Sequence, residues 1–339
     1  MCNLTDTAVV ISDGNLIFFY TDFYCDDGFL VVYNGVSYLL TDGRYIESAK
    51  AQAKAECYLQ SECSLLSLLK HLKVEKVGLV YGYSSIELYK RLEDNGYCVF
   101  DYTNEYNLTA SVKSSEQLFK IKKACEICEE AFLKTLPFIK EGVTELEVAG
   151  ELEYNFKKLG SNPAFETIVA FGKNTSVPHH QTGKTKLLKN MPVLMDFGCT
   201  YQGFCSDMTR TMFYGKPTDK FTSVYDLVLK AHLKASERIV SGMKASDADK
   251  IARDYLNGFN LGEYFAHSLG HGIGVKIHEY PTLSAKSSAV LKDNMVFSIE
   301  PGVYLQGEFG IRIEDTYTLS NSKCVSFMTM DKNPIILNG

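Results

Sequence analysis

Apolar positions along the chain follow two rhythms, and the place where one gives way to the other divides it. Up to about residue 110, short apolar runs alternate with segments of helical spacing. Leu16–Tyr20, Gly28–Tyr33, Ser37–Thr41 and Lys76–Tyr81 are compact apolar runs and are predicted as strands. Leu65–Leu72 and Ser85–Asn95 carry apolar residues at helical intervals. Asp42 and Gly43 mark a turn after Tyr38–Thr41. Residues 1–112 are thus predicted to form an α/β domain without clustered His, Cys or carboxylates at ligand spacing.

A long helix opens the second part. Ser114 and Gln117 have the spacing of a capping box, in which each side chain bonds the other residue's backbone N–H. Leu118, Ile121, Cys125, Cys128, Phe132 and Leu136 then recur at helical intervals until Pro137. Thr144 and Glu147 start a second helix the same way, and Gly160 ends it. Two strands follow, then helices near Ser223–Val240 and Asp247–Leu256, then short strands from Ile273 to Val325. Residues 113–339 are predicted as α+β, helices packed on an antiparallel sheet. No short-period repeat or low-complexity tract interrupts them.

Composition narrows the function classes. The chain has 339 residues, 45% hydrophobic and 22% charged, with a net charge of -6, and it lacks the basic run that follows a phosphate backbone. No nucleic-acid partner is expected. No Lys or Arg precedes Arg44, so a signal peptide's positive n-region is missing, and no apolar run reaches the roughly 20 residues of a membrane span. The ten cysteines are irregularly spaced, which fits reduced thiols and a cytoplasmic location. Cys125 and Cys128 read as two small apolar residues on a helix face, since a zinc half-site needs a second pair.

Chemistry concentrates in the second part. Five of seven histidines fall in two groups: His179 and His180, then His267, His271 and His278. Asp196, Asp207, Glu300 and Glu314 each lie in or beside an apolar strand-like run. Removing an unpaired carboxylate from water costs several kcal/mol, so each needs a hydrogen bond, a counter-charge or a metal. Arg210 and Arg312 are candidate partners, but two arginines cannot neutralise four converging acids, whereas two divalent cations can. The turn-rich stretch Gly198–Gly203 would fold Asp196 against Asp207 in a hairpin, and Pro301, Gly302, Gly307 and Gly310 suggest a reversal between Glu300 and Glu314. Arg312 and Glu314 share strand parity and so point to one face. His271 stands between Gly270 and Gly272, where the backbone can fold tightly. Four acids and one histidine make an oxygen-rich site suited to Mn2+, with Co2+, Fe2+ or Zn2+ as alternatives. Two ions roughly 3.5–4 Å apart could activate a shared water and polarise a carbonyl.

These stretches resemble the pita-bread metallopeptidases: methionine aminopeptidase, aminopeptidase P and prolidase. The resemblance runs through Phe165 to Asn174, Pro178-His179, Met195 to Gly198, Ser206 to Thr211, His267 to Gly274, Glu300 to Tyr304 and Arg312 to Asp315. It implies that Asp196 holds one metal, His271 and Glu300 the other, and that Asp207 and Glu314 bridge both. It also implies that Glu300 shuttles a proton, that His179 hydrogen-bonds the reacting amide and that His278 contacts the substrate carbonyl. His267 would line the pocket. His180 reads as a bystander, and His71 and His232 as solvent-facing or packing residues. The first domain, with Tyr38 to Tyr45 and then Val112-Lys113-Ser114, Ile121 and Ala124, resembles aminopeptidase P and prolidase.

The sequence reading puts an Xaa-Pro aminopeptidase first, acting on peptides with proline second, with an Xaa-Pro dipeptidase as the alternative. A non-catalytic binding module or a metal-independent creatinase-like enzyme stands lower, because no ligand type is missing. A homodimer follows from the resemblance alone.

Overall fold

The computed structural model describes residues 6–337. The chain falls into two compact units, Met1–Ala110 and Ser111–Gly339. In the first, β1 (Thr7–Ile11), β2 (Gly28–Tyr33), β3 (Val36–Thr41), β4 (Glu56–Leu59), β5 (Lys76–Leu79) and β6 (Cys98–Asp101) form one sheet in the order β4-β3-β2-β1-β5-β6. Side chains alternate across it. Val10, Val31 and Leu40 pack with α3 (Leu65–His71) and α4 (Ile86–Asp94), while Ile11, Leu30 and Leu39 face a second cluster with Leu16, Ile17 and Ala49. That cluster includes residues of α1 (Gly14–Thr21), α2 (Ile46–Gln52) and α5 (Thr103–Ser111).

Leu16–Tyr20 is therefore helix, not strand. A short apolar run does not reveal its period. Asp13 decides the matter by accepting hydrogen bonds from Asn15 N and Leu16 N, which caps the helix. The other three predicted strands and both predicted helices of this unit form where expected.

In the second unit, a helix pair followed by antiparallel strands occurs twice. Capping boxes at Ser114–Gln117 and Thr144–Glu147 start α6 (Ser115–Thr135) and α7 (Glu145–Lys158). The short β7 (Asn162–Pro163), β10 (Cys199–Tyr201) and β11 (Phe204–Cys205) form a small sheet, while β8 (Ile168–Phe171), β9 (Met191–Phe197), β12 (Met208–Tyr214) and β20 (Ile335–Leu337) form a four-stranded one. Phe132 of α6 stacks on Phe197 at 5.1 Å, beside Asp196.

After α8 (Asp219–Arg238) and α9 (Ala245–Asn257) come β13 (Gly270–Gly272), β14 (Glu279–Leu283), β15 (Val296–Ile299), β18 (Asp315–Ser320) and β19 (Lys323–Ser326), an antiparallel sheet in the order β14-β13-β15-β18-β19. The hairpin of β16 (Gly302–Leu305) and β17 (Phe309–Arg312) stands between β15 and β18. Val228, Ala231 and Ala235 of α8 and Ala245, Ala248 and Ala252 of α9 share one buried core with Phe297, Ile299 and Ile311. His232 is fully buried there, between Ile313 O at 3.0 Å and Tyr317 Oη at 2.8 Å, and burial lowers its pKa to about 4. His71 is exposed. Cys125 and Cys128 are buried on α6, and burial pushes both thiols up, as packing residues rather than reactive ones. Among the described residues, no helix is long and apolar enough to cross a membrane.

Candidate metal centre

The four-stranded and five-stranded sheets meet at a single isolated bridge, Thr209 with Glu314, and the acidic residues gather around it. Asp196 on β9 lies opposite Thr209 on β12, and Asp207 immediately precedes β12. The stretch between them reverses through β10 and β11, with Gln202 and Gly203 at positive φ. Glu300 follows β15 and Glu314 precedes β18, beyond the paired Ile299 and Asp315. Two strand reversals and one bridge thus bring together four residues from distant parts of the chain.

His271 reaches the cluster from the middle of β13, where the register shifts by a bulge. Its flanking glycines are steric requirements. A Cβ on Gly270 would sit 2.0 Å from Ser298 O, and one on Gly272 would sit 2.4 Å from Tyr280 O. The imidazole Nε2 lies 3.5 Å from Asp207 Oδ2 and 3.4 Å from Glu300 Oε1. One donor atom each from Asp207, His271 and Glu314 fall within 4.8 Å of one another.

The charges are unbalanced. Arg312 donates to Asp196 Oδ2 at 2.5 Å, to Tyr304 Oη at 2.7 Å and to Thr209 Oγ1 at 3.0 Å. Thr209 in turn donates to Glu314 Oε2 at 2.6 Å, so Arg312 and Glu314 do share a face and meet on one hydroxyl. Arg210 does not join the cluster. It pairs with Asp315 at 2.8 Å and donates to the backbone O of Glu314 at 2.7 Å. One arginine therefore serves four acids. Burial, followed by the charges of Asp196 and Glu300, raises Asp207 well above the carboxylate range. Burial and then Asp207, Glu300 and Asp196 do the same to Glu314. Burial, opposed by Arg312 and reinforced by Asp196, raises Glu300 to about 8.

His267 and His271 add no positive charge. His271 Nδ1 lies 3.2 Å from Gly272 O, an atom that only accepts, so Nδ1 carries the hydrogen and Nε2 turns its lone pair toward Asp207 and Glu300. Burial, then the neighbouring His278, lowers its pKa to about 4. The rings of His271 and His278 are 4.2 Å apart. His267 Nδ1 donates to Ser268 O at 2.8 Å, and its Nε2 accepts from Tyr304 Oη at 2.9 Å. Burial and Arg312 hold His267 down to about 3. His179 is exposed.

The residues of this chain fit divalent cations. Asp207 Oδ1 is buried without a hydrogen-bond partner. A lone pair of a neutral imidazole faces two carboxyl groups, an arrangement that repels unless a proton or a metal cation lies between. The donors are oxygens and one imidazole, a set that hard or borderline divalent ions accept.

Comparison with known proteins agrees. Residues 120–321 match the model of metallopeptidase family M24. The chain belongs to this family. The M24 chain is 32% identical over 324 residues to the Xaa-Pro dipeptidase of Pyrococcus furiosus, covering 94% of this chain and 92% of that one. It superposes on the crystal structure of an X-Pro aminopeptidase from Thermotoga maritima MSB8 with a TM-score of 0.92 and 32% identity, over 97% of this chain and 95% of the other. An Xaa-Pro dipeptidase from Bacillus anthracis gives a TM-score of 0.92 at 31% identity, with the same coverage. The fold of this M24 peptidase is the pita-bread fold joined to an α/β domain.

Sequence reading missed several residues that frame the M24 centre. Tyr304 and Thr209 lie inside motifs already singled out, yet nothing local marks their hydroxyls as bridges. Asp249 and Arg253 pair at 2.7 Å on α9, and Arg253 also holds the backbone O of Phe265 and of His267. Their i,i+4 spacing was the available signal, but it usually marks a solvated face. Lys113 and Glu279 form a buried pair at 3.0 Å across 166 residues, which no local pattern reveals. His180, read as a bystander beside His179, places its Nε2 2.9 Å from Glu145 Oε2.

Proposed function

We propose that this peptidase is an Xaa-Pro dipeptidase, cleaving the bond between an N-terminal residue and the proline that follows, with two divalent cations, Mn2+ foremost, as cofactors. One observation carries the metal: four converging acids meet one arginine and a neutral histidine, and Asp207 Oδ1 is left buried and unpaired. Asp196, Asp207, His271, Glu300 and Glu314 would hold the ions, with Asp207 and Glu314 shared. When bound, they would supply Lewis-acid polarisation of the scissile carbonyl and an acidified water.

The chain's own groups do the rest. Glu300, whose Oε1 lies 3.4 Å from His271 Nε2, would receive a proton from the attacking water and return it to the proline nitrogen as the bond breaks. His278 donates to the carbonyl oxygen as negative charge develops there. His179 hydrogen-bonds the reacting amide. His267, with Nδ1 and Nε2 both engaged, is a fixed wall of the pocket rather than a proton carrier.

Substrate length rests on the relatives. Two of the three named above are Xaa-Pro dipeptidases, which supports the dipeptide over the longer substrate that the sequence alone put first. The Thermotoga maritima likeness favours an aminopeptidase as the second reading. Hydrolysis of Xaa-Pro should be compared with that of Xaa-Pro-Yaa-Yaa, alongside elemental analysis of the purified protein. Cleavage of the tetrapeptide with no action on the dipeptide rejects the first reading. Finding no divalent metal, and no activation by Mn2+, rejects both.

A further inference from the structure

His179 stands in a tight turn whose two halves are tied down by different groups. His180 N donates to Val177 O at 3.2 Å, which closes a turn with Pro178 second and His179 third. Pro presets the backbone at the second position, but it leaves the turn free to pivot as a body. On the leading side, Arg312 Nη1 donates to Pro178 O at 3.4 Å. On the trailing side, the anchor is the fully buried Glu145, at the start of α7.

Both oxygens of Glu145 are saturated. Oε1 accepts from Phe171 N and Asn174 Nδ2, each at 2.8 Å. Oε2 accepts from His180 Nε2 at 2.9 Å and Gly183 N at 3.0 Å. Backbone bonds from Glu145 N to Thr185 O and from Leu146 N to Gly183 O seat the same loop on the start of the helix. A carboxylate suits this place and an amide does not, because each end faces two donors and an amide has one accepting end.

We propose that Glu145 and His180 are positioning residues that fix the turn carrying His179, and so set where its imidazole meets the substrate. The inference rests on the reading that His179 contacts the reacting amide. His180 is the residue through which the buried acid grips the turn itself, since Gly183 lies beyond it. Misplacement of a catalytic group by about 1 Å can cost up to 10²-fold in rate. Loss of one of several anchors is expected to cost less.

The test is a double-mutant cycle on kcat, with the metal-loaded full chain and an Xaa-Pro substrate. His180→Ala is expected to lower kcat by about 10-fold, with KM and bound metal little changed. His180→Gln places an amide N–H near the lost Nε2 and should restore activity to within about 3-fold. In a His179→Ala background, His180→Ala should cost less than about 2-fold, because its target is already gone. Glu145→Gln sets an amide N–H against two donors and should lower both kcat and thermal stability. The His180 variants keep the test sound if that protein does not fold. Equal losses from His180→Ala in both backgrounds, or wild-type kcat in His180→Ala, would overturn the inference while leaving the peptidase reading intact. A wild-type protein inactive on dipeptide and tetrapeptide alike would remove that reading, and this inference with it.

Discussion

Stripping the metal should make the stability of this protein depend on pH in a direction opposite to that of ordinary acid denaturation. Glu300 keeps its proton in the folded, metal-free chain up to about pH 8, whereas its ordinary value is 4.5. Between those values the folded state binds the extra proton. Stability is then greatest at low pH and is lost as the pH rises through 8. Asp207 and Glu314 act in the same sense. Histidines act in the opposite sense, His278 among them. His232, His267 and His271 are held near 4, 3 and 4 against an ordinary 6.5, so their contribution is present above 6.5 and fades as the pH falls below it. The histidine effect is still half unspent at pH 6.5 and nearly complete by pH 7.2, so the interval from pH 7.2 to 8 reports mainly on the carboxylates.

At about 1.4 kcal/mol per pH unit, a single acid displaced like Glu300 contributes roughly 0.8 kcal/mol across that interval. For a unit of this size, this amounts to roughly 2–3 °C in Tm. The assay is calorimetric or circular-dichroism melting of chelator-treated protein at pH 7.2, 7.6 and 8. Tm should fall as the pH rises, and Glu300→Gln should flatten the slope. Mn2+ should reverse it, because the cation displaces those protons and binds more tightly at higher pH. A metal-free Tm that is constant or increases from pH 7.2 to 8 would refute the claim that the acids sit there without enough positive charge.

Three further results are expected. Asp207→Asn should abolish stoichiometric metal binding, read by elemental analysis, since a shared carboxylate is lost; two metals bound with normal affinity would reject the ligand assignment. His278→Ala should keep its metal and lose about 10²-fold in kcat, the usual cost of removing a donor to a developing oxyanion; a parallel loss of metal would make His278 a ligand instead. Lys113→Met leaves the buried carboxylate of Glu279 without the ammonium that is now 3.0 Å away. It should destabilise the second unit by about 3–5 kcal/mol, measured by urea titration, and an unchanged midpoint would show the pair to be dispensable.

The candidate centre was more legible in the sequence than the scaffold that holds it, and the reason is energetic. An acid in an apolar strand is costly enough to be conspicuous, so Asp196, Asp207, Glu300 and Glu314 could be picked out singly. Glycine beside His271 was conspicuous for a steric reason, and the structure gives it: backbone carbonyls of Ser298 and Tyr280 occupy the space a Cβ would need. Capping boxes at Ser114 and Thr144 were legible because they are local reciprocal hydrogen bonds. Leu16–Tyr20 was misread because eight residues of helix and five of strand can present the same apolar run, and only Asp13 distinguishes them.

What stayed hidden shares one property. Glu145, Glu279 and Asp249 look like surface acids in the sequence, since each is set among polar neighbours or on a helix. Their partners are backbone amides and side-chain donors brought near by the fold: Gly183 N and His180 for Glu145, Lys113 for Glu279, Arg253 and Leu269 N for Asp249. Each steadies a segment bearing one of the histidines, His179, His278 or His267 in turn. A ligand must bring its own chemistry to the centre, and residue type betrays it. An anchor needs only to accept hydrogen bonds from whatever the chain places beside it, so its identity becomes visible when the donors do.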